Sequence, residues 1–429
     1  MGRNHEVRRM ERYSEYKDSG VQWIGEIPSY WKIRRIKWLF REEDEKNVNL
    51  TYQLLSFSRN KGIIPFSAIN EKAPSASDLS KYKVLHEGQL LENRMQAWSG
   101  MFGCSHIEGC VSPDYSVFSP YDSNVVTEYY ACLFRIPIFV QQFANASKGI
   151  GDGFNRLYTP QFHKIYAIVP STIEQHAIVS YLDTKCSKLD TFISNKEKEI
   201  TLLQEMKQRV IADAVTRGLN PNVKFKPINI PWLPEIPEHW NMVKLKALTF
   251  EGKNKNKDNL ETNVLSLSYG KIIRKKNINE GLVPADYATY QIVEPNDIIL
   301  RLTDLQNDHR SLRCGLVKER GIITSAYTCL KMKHGVAEYF YLLLHSYDIK
   351  KVFYSMGGGL RQSMNYSEIT KLIVPIPPIE EQHAIVSYIT ERVVKIDSLV
   401  EKLNKEIECI KEYKQRLISD VVTGQIKVS

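Results

Sequence analysis

The sequence predicts an α+β chain: two mixed globular segments in tandem pseudo-repeat, separated by two long helices that pair as an antiparallel coiled coil. Three observations lead there. The string EQHAIVSY occurs at residues 174–181 and again at 381–388, and self-similarity at a fixed period marks a duplicated architecture. Each copy opens a long run without Pro or Gly, bounded in the first half by Pro170 before it and by Gly218 and Pro221 after it, which reads as a helix with breakers at both ends. Both runs carry apolar residues at heptad spacing, the pattern of a helix that buries one stripe against another helix.

The repeat extends well beyond the octapeptide. IPSYW at 27–31 answers IPEHW at 236–240, LLSFS at 54–58 answers VLSLS at 264–268, and YKVLHEGQLL at 82–91 answers YQIVEPNDII at 290–299. SKGIGDGFNRLY at 147–158 answers SMGGGLRQSMNY at 355–366, and MKQRVIADAVTRG at 206–218 answers YKQRLISDVVTGQ at 413–425. Ends and helices match closely, whereas the middles match only in hydrophobic outline. The shared parts are framework, and the middles distinguish the halves.

The elements follow in order. Residues 1–15 are polar, lie outside the repeat, and read as a mobile lead-in. Residues 16–173 form a first globular segment in which YQLLSFS, YKVL and KIYAIVP read as strands, while 126–147 reads as one helix with a core-facing side. Residues 174–222 hold the first long helix, 223–380 the second globular segment, and 381–429 the second long helix. A helix over 173–217 would run roughly 65 Å at about 1.5 Å per residue. One seam row is Leu182, Leu189, Lys196, Leu203 and Val210, answered by Ile389, Ile396, Leu403, Ile410 and Leu417. A companion row is read as Ile178, Phe192 and Met206, answered by Ile385, Leu399 and Tyr413. Each stripe would face water unless the helices paired, and pairing gives a rod with a globular body at each end.

At 429 residues, 43% hydrophobic and 25% charged, the chain has the composition of folded domains rather than of disorder. Its net charge of +9 favours an anionic partner. Seven cysteines without a CxxC pair or a preceding leader-like segment suggest free thiols in a reducing cytoplasm. Cys104, His106 and Cys110 lie close in sequence, but no second ligand pair at structural-zinc spacing accompanies them, so no metal is expected. No apolar run reaches bilayer length, so no membrane association is expected.

The residues needed for catalysis on nucleic acid are missing. There is no GxxxxGK[ST] loop to cradle ATP phosphates. The Asn/Asp-Pro-Pro-aromatic signature of amino-methyltransferases is also lacking; SPDY at 112–115 and IPPIE at 376–380 do not fit it. The glycine strings at 149–153 and 357–359 follow a predicted helix rather than a first strand, a poor setting for a nucleotide loop. His176 and His383 recur in the first turn of each long helix without a repeated nucleophile or carboxylate at triad positions, which reads as packing. Glu174 and Glu381 fall where a helix dipole favours negative charge.

Two variable segments, each followed by a Pro-rich strand end, an EQ-initiated long helix and a closing (K/R)QR-L-I-x-D-x-V-T-G sequence, resemble the specificity subunit of type I restriction-modification systems. The motifs are VPSTIEQHAIVSYLD at 169–183, VPIPPIEEQHAIVSYI at 374–389, KQRVIADAVTRG at 207–218 and KQRLISDVVTGQI at 414–426. The likeness spans about 16–428, with Arg217 before the first closing Gly as a small departure. It implies two target recognition domains, each reading one half of a bipartite asymmetric site in double-stranded DNA, and spacer helices between them. It implies no enzyme activity in this chain alone. Two modification subunits and two ATP-dependent restriction subunits would complete a type I restriction endonuclease and DNA adenine methyltransferase. S-adenosylmethionine, ATP and magnesium would reside in those partners, with no cofactor here. A coiled-coil scaffold without sequence-specific DNA binding is the competing reading.

Base-reading side chains belong in the divergent middles, since phosphate contacts position and base contacts specify. The candidates are Arg59, Asn60, Lys61, Asn93, Arg94, Lys148 and Arg156 in the first half. In the second they are Lys271, Arg274, Lys275, Lys276, Arg301, Arg310, Arg313, Arg361 and Gln362. Trp23, Trp31, Trp232 and Trp240 repeat at framework positions, which argues for packing anchors rather than stacking platforms.

Overall fold

The computed structural model describes residues 11–59, 61–68, 78–149, 155–275, 287–305, 312–356 and 363–428. They form two compact units. One comprises the described residues of Met1–Lys196 and Lys405–Ser429, the other Glu197–Asn404.

In the first unit, Lys32–Arg35 pairs antiparallel with Tyr166–Val169. A four-stranded antiparallel sheet runs in the order Phe40–Glu43, Tyr115–Pro120, Leu90–Asn93, Phe102–Cys104. Two further ladders join Leu55–Ser58 to Gly62–Pro65 and Lys83–Leu85 to Gly109–Val111. The second unit repeats this element for element. Asn241–Lys244 pairs with Ile373–Ile376, and the sheet order is Thr249–Gly252, Thr328–Met332, Ile298–Leu300, Cys314–Leu316. Leu265–Ser268 pairs with Lys271–Arg274, and Gln291–Val293 with Gly321–Ile323. The strands expected from YQLLSFS, YKVL and KIYAIVP are present.

The expected helix over 126–147 is two helices, Thr127–Leu133 and Pro137–Ala146. Pro137 lacks the N–H a continuous helix would need, and it opens the second helix at its first position. In the other unit Ala337–Ile349 also stops early, and Lys351 at φ +59 turns the chain into a short 3-10 segment. The long helices span Thr172–Arg217 and Ile379–Val422. Each ends at a glycine in the left-handed region, Gly218 at φ +73 and Gly424 at φ +76, the usual stop for a helix C-terminus.

Each unit builds its core from the start of one long helix and the end of the other. The first gathers Trp31, Phe40, Phe102, Phe118, Phe134 and Phe162 with Ile178 and Leu182, and adds Leu417, Val421 and Val422. The second gathers Trp240, Ile298, Tyr339, Phe340, Leu344 and Phe353 with Ile385 and Ile389, and adds Ile211 and Val215. Tyr129 donates to Val422 O at 2.9 Å in one unit, and Tyr339 donates to Val215 O at 2.9 Å in the other. A side chain at Gly424 would press on Pro28 and Trp31, and one at Gly218 on Trp240 and Glu381.

The lead-in is not wholly loose. Tyr13 is buried in the first core, Lys427 N–H donates to Glu11 O at 2.8 Å, and Tyr16 donates to Gly424 O at 2.8 Å. Residues 1–10 lie outside the described residues.

On the long helices, Leu182, Ile389, Ile396, Leu403 and Leu417 of the first seam row are buried. Of the companion row only Ile178 and Ile385 are buried; Phe192, Met206, Leu399 and Tyr413 are 41%, 52%, 49% and 46% exposed. The buried companions lie four residues after the first row, at Ile193, Ala214, Ile407 and Val421. Burial therefore follows a row four residues after the first rather than the expected one, in which Phe192, Met206, Leu399 and Tyr413 stay exposed.

Candidate nucleic-acid interface

The framework that carries the variable faces begins at the EQ pair. Glu174 accepts from Trp31 Nε1 at 3.1 Å, Tyr30 Oη at 2.8 Å, Tyr13 Oη at 3.2 Å and Ser171 Oγ at 2.8 Å. Burial pushes its carboxyl upward, but these donors outweigh burial and hold it below the usual carboxylate range. Glu381 accepts from Trp240 Nε1 at 3.0 Å and lies 2.9 Å from His239 Nε2. Gln175 accepts from Val126 N–H at 2.9 Å and donates to Asn124 O and Pro170 O; Gln382 accepts from Val336 N–H at 2.9 Å and donates to Pro377 O. In each unit the EQ pair thus locks the long helix to a framework tryptophan and to the start of a domain helix. Trp31 and Trp240 are fully buried and cannot stack on bases.

In the first unit, Arg59 and Lys61 are exposed at the turn joining Leu55–Ser58 to Gly62–Pro65, while Asn60 lies outside the described residues. The Arg59 guanidinium donates to Ser99 O and Ser99 Oγ, both at 2.8 Å, and Arg135 donates to Arg59 O at 3.0 Å. Ser99 closes the turn that also holds Trp98, which is 43% exposed with its indole N–H donating to Met95 O at 2.9 Å. Asn93 accepts from Met95 N–H at 3.1 Å and Gln96 N–H donates to Asn93 O at 2.9 Å. Arg94 donates to Pro113 O at 2.9 Å and Tyr115 O at 3.2 Å, and Leu157 N–H donates to Arg94 O. Lys148 and Arg156 exchange backbone hydrogen bonds at 2.9 Å, with the Arg156 guanidinium 3.5 Å from Asp114. Arg59 is thus tied to Arg135 and to the turn that holds Trp98, and Arg156 to Lys148 and Asp114. Arg94 is turned inward as a strut on Pro113 O and Tyr115 O.

In the second unit the equivalent hairpin turns at Tyr269, φ +46 and 83% exposed, and Gly270, whose O accepts from Tyr341 Oη at 3.1 Å. Arg274 is exposed and paired with Glu319 at 2.6 Å, and Lys275 N–H donates to Val264 O at 2.9 Å. Lys271 lines a cleft of about 520 Å³ with Lys207, Gln208, Ile396 and Asp397. Arg301 is half-buried, its N–H donating to Arg313 O at 2.8 Å.

Arg313 departs from the expectation of a DNA contact. It is fully buried, and its guanidinium donates to Tyr354 Oη at 3.1 Å, Arg301 O at 3.2 Å, Thr303 O at 2.7 Å and Asp304 O at 3.0 Å. Its backbone N–H donates to Asp348, whose carboxyl is pushed up by burial against that donation. A buried guanidinium that donates to four acceptors in this way is a brace. Lys276, Arg310, Arg361 and Gln362 lie outside the described residues.

Sequence reading missed Trp98, Arg135 and Tyr269. Trp98 could have been found as an aromatic beside Asn93 and Arg94 without a counterpart in the other half, and Tyr269 as the residue before a turn glycine. Arg135 carried no signal, because its partner Arg59 lies 76 positions away.

Residues 237–409 match the family model for the type I restriction modification DNA specificity domain. A putative type I restriction enzyme MjaX specificity subunit of Methanocaldococcus jannaschii is 23% identical over 435 residues, covering 94% of this chain and 96% of the relative. The type I restriction enzyme MjaVIII specificity subunit of the same organism is 27% identical over 295 residues, covering 65% of this chain and 66% of the relative. Among solved structures, a chain from a study of assembly and conformational transition in the type I R-M system superposes with TM-score 0.69. It has 13% identity and covers 93% of this chain and 99% of its own. The HsdS subunit of Thermoanaerobacter tengcongensis superposes with TM-score 0.51 at 14% identity, covering 92% and 96%. The superpositions bear on fold alone.

Proposed function

Given that the chain belongs to the family of type I restriction-modification specificity subunits, we propose that it reads a bipartite, asymmetric site in double-stranded DNA. One recognition domain, 16–173, would read one half and the other, 223–380, the second half. The observation that carries this reading is the contrast between the units. Their frames share the same lock, Glu174 with Trp31 and Glu381 with Trp240, while the exposed polar faces differ. Unlike readers on like frames suit a site that is not a palindrome.

The helices over 174–222 and 381–429 would act as spacers, pairing along their length as an antiparallel coiled coil. In the first unit Lys414 lies 2.6 Å from Asp190 and Lys196 lies 3.3 Å from Glu406, so positions rise on one helix as they fall on the other. In the second unit Lys207 lies 2.6 Å from Asp397, the same pair repeated by the duplication.

The chain alone would methylate and cut nothing; those reactions, with S-adenosylmethionine, ATP and magnesium, would belong to two modification and two restriction subunits. The exposed companion row fits two like partners, because it repeats as Phe192 and Tyr413 in one unit and Met206 and Leu399 in the other. Among the described residues no helix is long and apolar enough to cross a membrane, and the proposed workplace is the cytoplasm.

Duplex binding in the presence of modification subunits tests the reading. The expected result is preference for one bipartite sequence and affinity that falls with salt. Binding indifferent to sequence would instead support a scaffold, and methylation by the purified chain alone would support an enzyme.

A further inference from the structure

Cys104, His106 and Glu128 converge in the first unit. Cys104 ends the strand Phe102–Cys104, His106 lies exposed in the bend after it, and Glu128 stands in the first turn of the helix Thr127–Leu133. Their Sγ, imidazole nitrogen and carboxylate oxygen all lie within 4.8 Å of one another. The third member differs from the sequence grouping: Cys110 is buried with its Sγ donating to Tyr52 O at 3.5 Å, and Glu128 takes its place.

We propose that Cys104 Sγ, a His106 ring nitrogen and the Glu128 carboxylate hold one transition-metal cation of the zinc class, with water as fourth donor. Thiolate, imidazole and carboxylate are the donor types such a cation takes. Bonds of about 2.0–2.3 Å in a tetrahedron place ligand atoms roughly 3.5 Å apart, a small contraction that the exposed His106 bend can supply. Glu128 is held from behind, because Gln175 accepts from Val126 N–H and fixes the start of its helix.

Burial, and after it the Glu128 charge, push the Cys104 thiol above the usual range. The site is particular to one unit. The strand register that sets Cys104 opposite Leu90 sets Leu316 opposite Ile298, and Lys318 then stands where the first unit has His106. Only Glu338 keeps its counterpart.

Cobalt(II) titration of the full chain, stripped with chelator, decides the matter. One equivalent should bind with the visible bands of tetrahedral cobalt and a thiolate-to-cobalt charge-transfer band. Cys104→Ser should abolish that band. His106→Ala, at an exposed position that leaves the fold intact, should bind more than about tenfold more weakly, the least that even outer-shell partners cost. Cys409→Ser, removing an exposed thiol elsewhere, should bind like the parent. No thiolate band in the parent, or a band that survives Cys104→Ser, overturns the proposal.

Discussion

At the scale of single residues, Glu174 and Arg313 show what sequence could and could not disclose. The repeat made Glu174 visible, and its place at a helix start suggested a dipole role. Its main work is to accept from Trp31 and Tyr30, more than 140 positions earlier, which no local pattern encodes. Glu174→Ala should cost about 1.5–3 kcal/mol for each donor to the charged group that is left unpaired, read as a fall in thermal midpoint. Because its folded pKa lies below the ordinary 4.5, its stabilisation is present above that value and is lost as pH falls through the folded pKa. Glu174→Gln should therefore flatten the acid side of the stability profile. His86 acts in the opposite direction. Hydrogen bonds to Glu45 and then Glu108 raise it above 6.5, so its contribution is complete below that pH and fades as pH rises through the folded value. Residue type alone points to Arg313 as a DNA contact, and type does not report burial. Arg313→Ala should lower stability by about 3 kcal/mol or more, since several buried carbonyls lose their donor. Arg59→Ala should leave thermal unfolding nearly unchanged while weakening duplex binding.

Elements were more legible than contacts. Strand positions and both long helices followed from hydrophobic runs and breakers, because those signals are local. The break at Pro137 was written in the sequence but overridden by the apolar pattern around it. The companion seam row failed for a subtler reason: steps of three and four both keep an apolar stripe, and only the partner's position selects between them. Lys207 and Lys414 fall in the same row as the buried Ile193, Ala214, Ile407 and Val421 and reach Asp397 and Asp190. Partly exposed pairs of this kind contribute about 0.2–1 kcal/mol, and their larger effect is on register. Lys414→Asp should lower the unfolding midpoint modestly, and adding Asp190→Lys should restore it. Failure of the double exchange to restore would remove the pair from any role in register.

For the molecule as a whole, the tandem repeat predicts separable specificity. Replacing 16–169 with the corresponding segment of a relative should change one half of the recognised site, read by methylome sequencing, and leave the other half intact. Four residues added to both long helices should widen the gap between halves by about two base pairs, as roughly 6 Å of helix corresponds to about two steps of 3.4 Å. An unchanged gap would separate helix length from site spacing.

The borrowing of helix ends has a further effect, on the order in which the chain acquires its structure. The unit formed by Glu197–Asn404 is one uninterrupted stretch, whereas the other also needs residues 405–429, including Leu417, Val421 and Val422. During synthesis the first segment emerges before the second yet lacks part of its interior until residues 405–429 have been made. The later segment has all of its own residues sooner. The usual vectorial sequence, in which the earlier domain folds first, should thus be inverted: chains released after residue 404 should protect the second unit from protease and leave the first open to it.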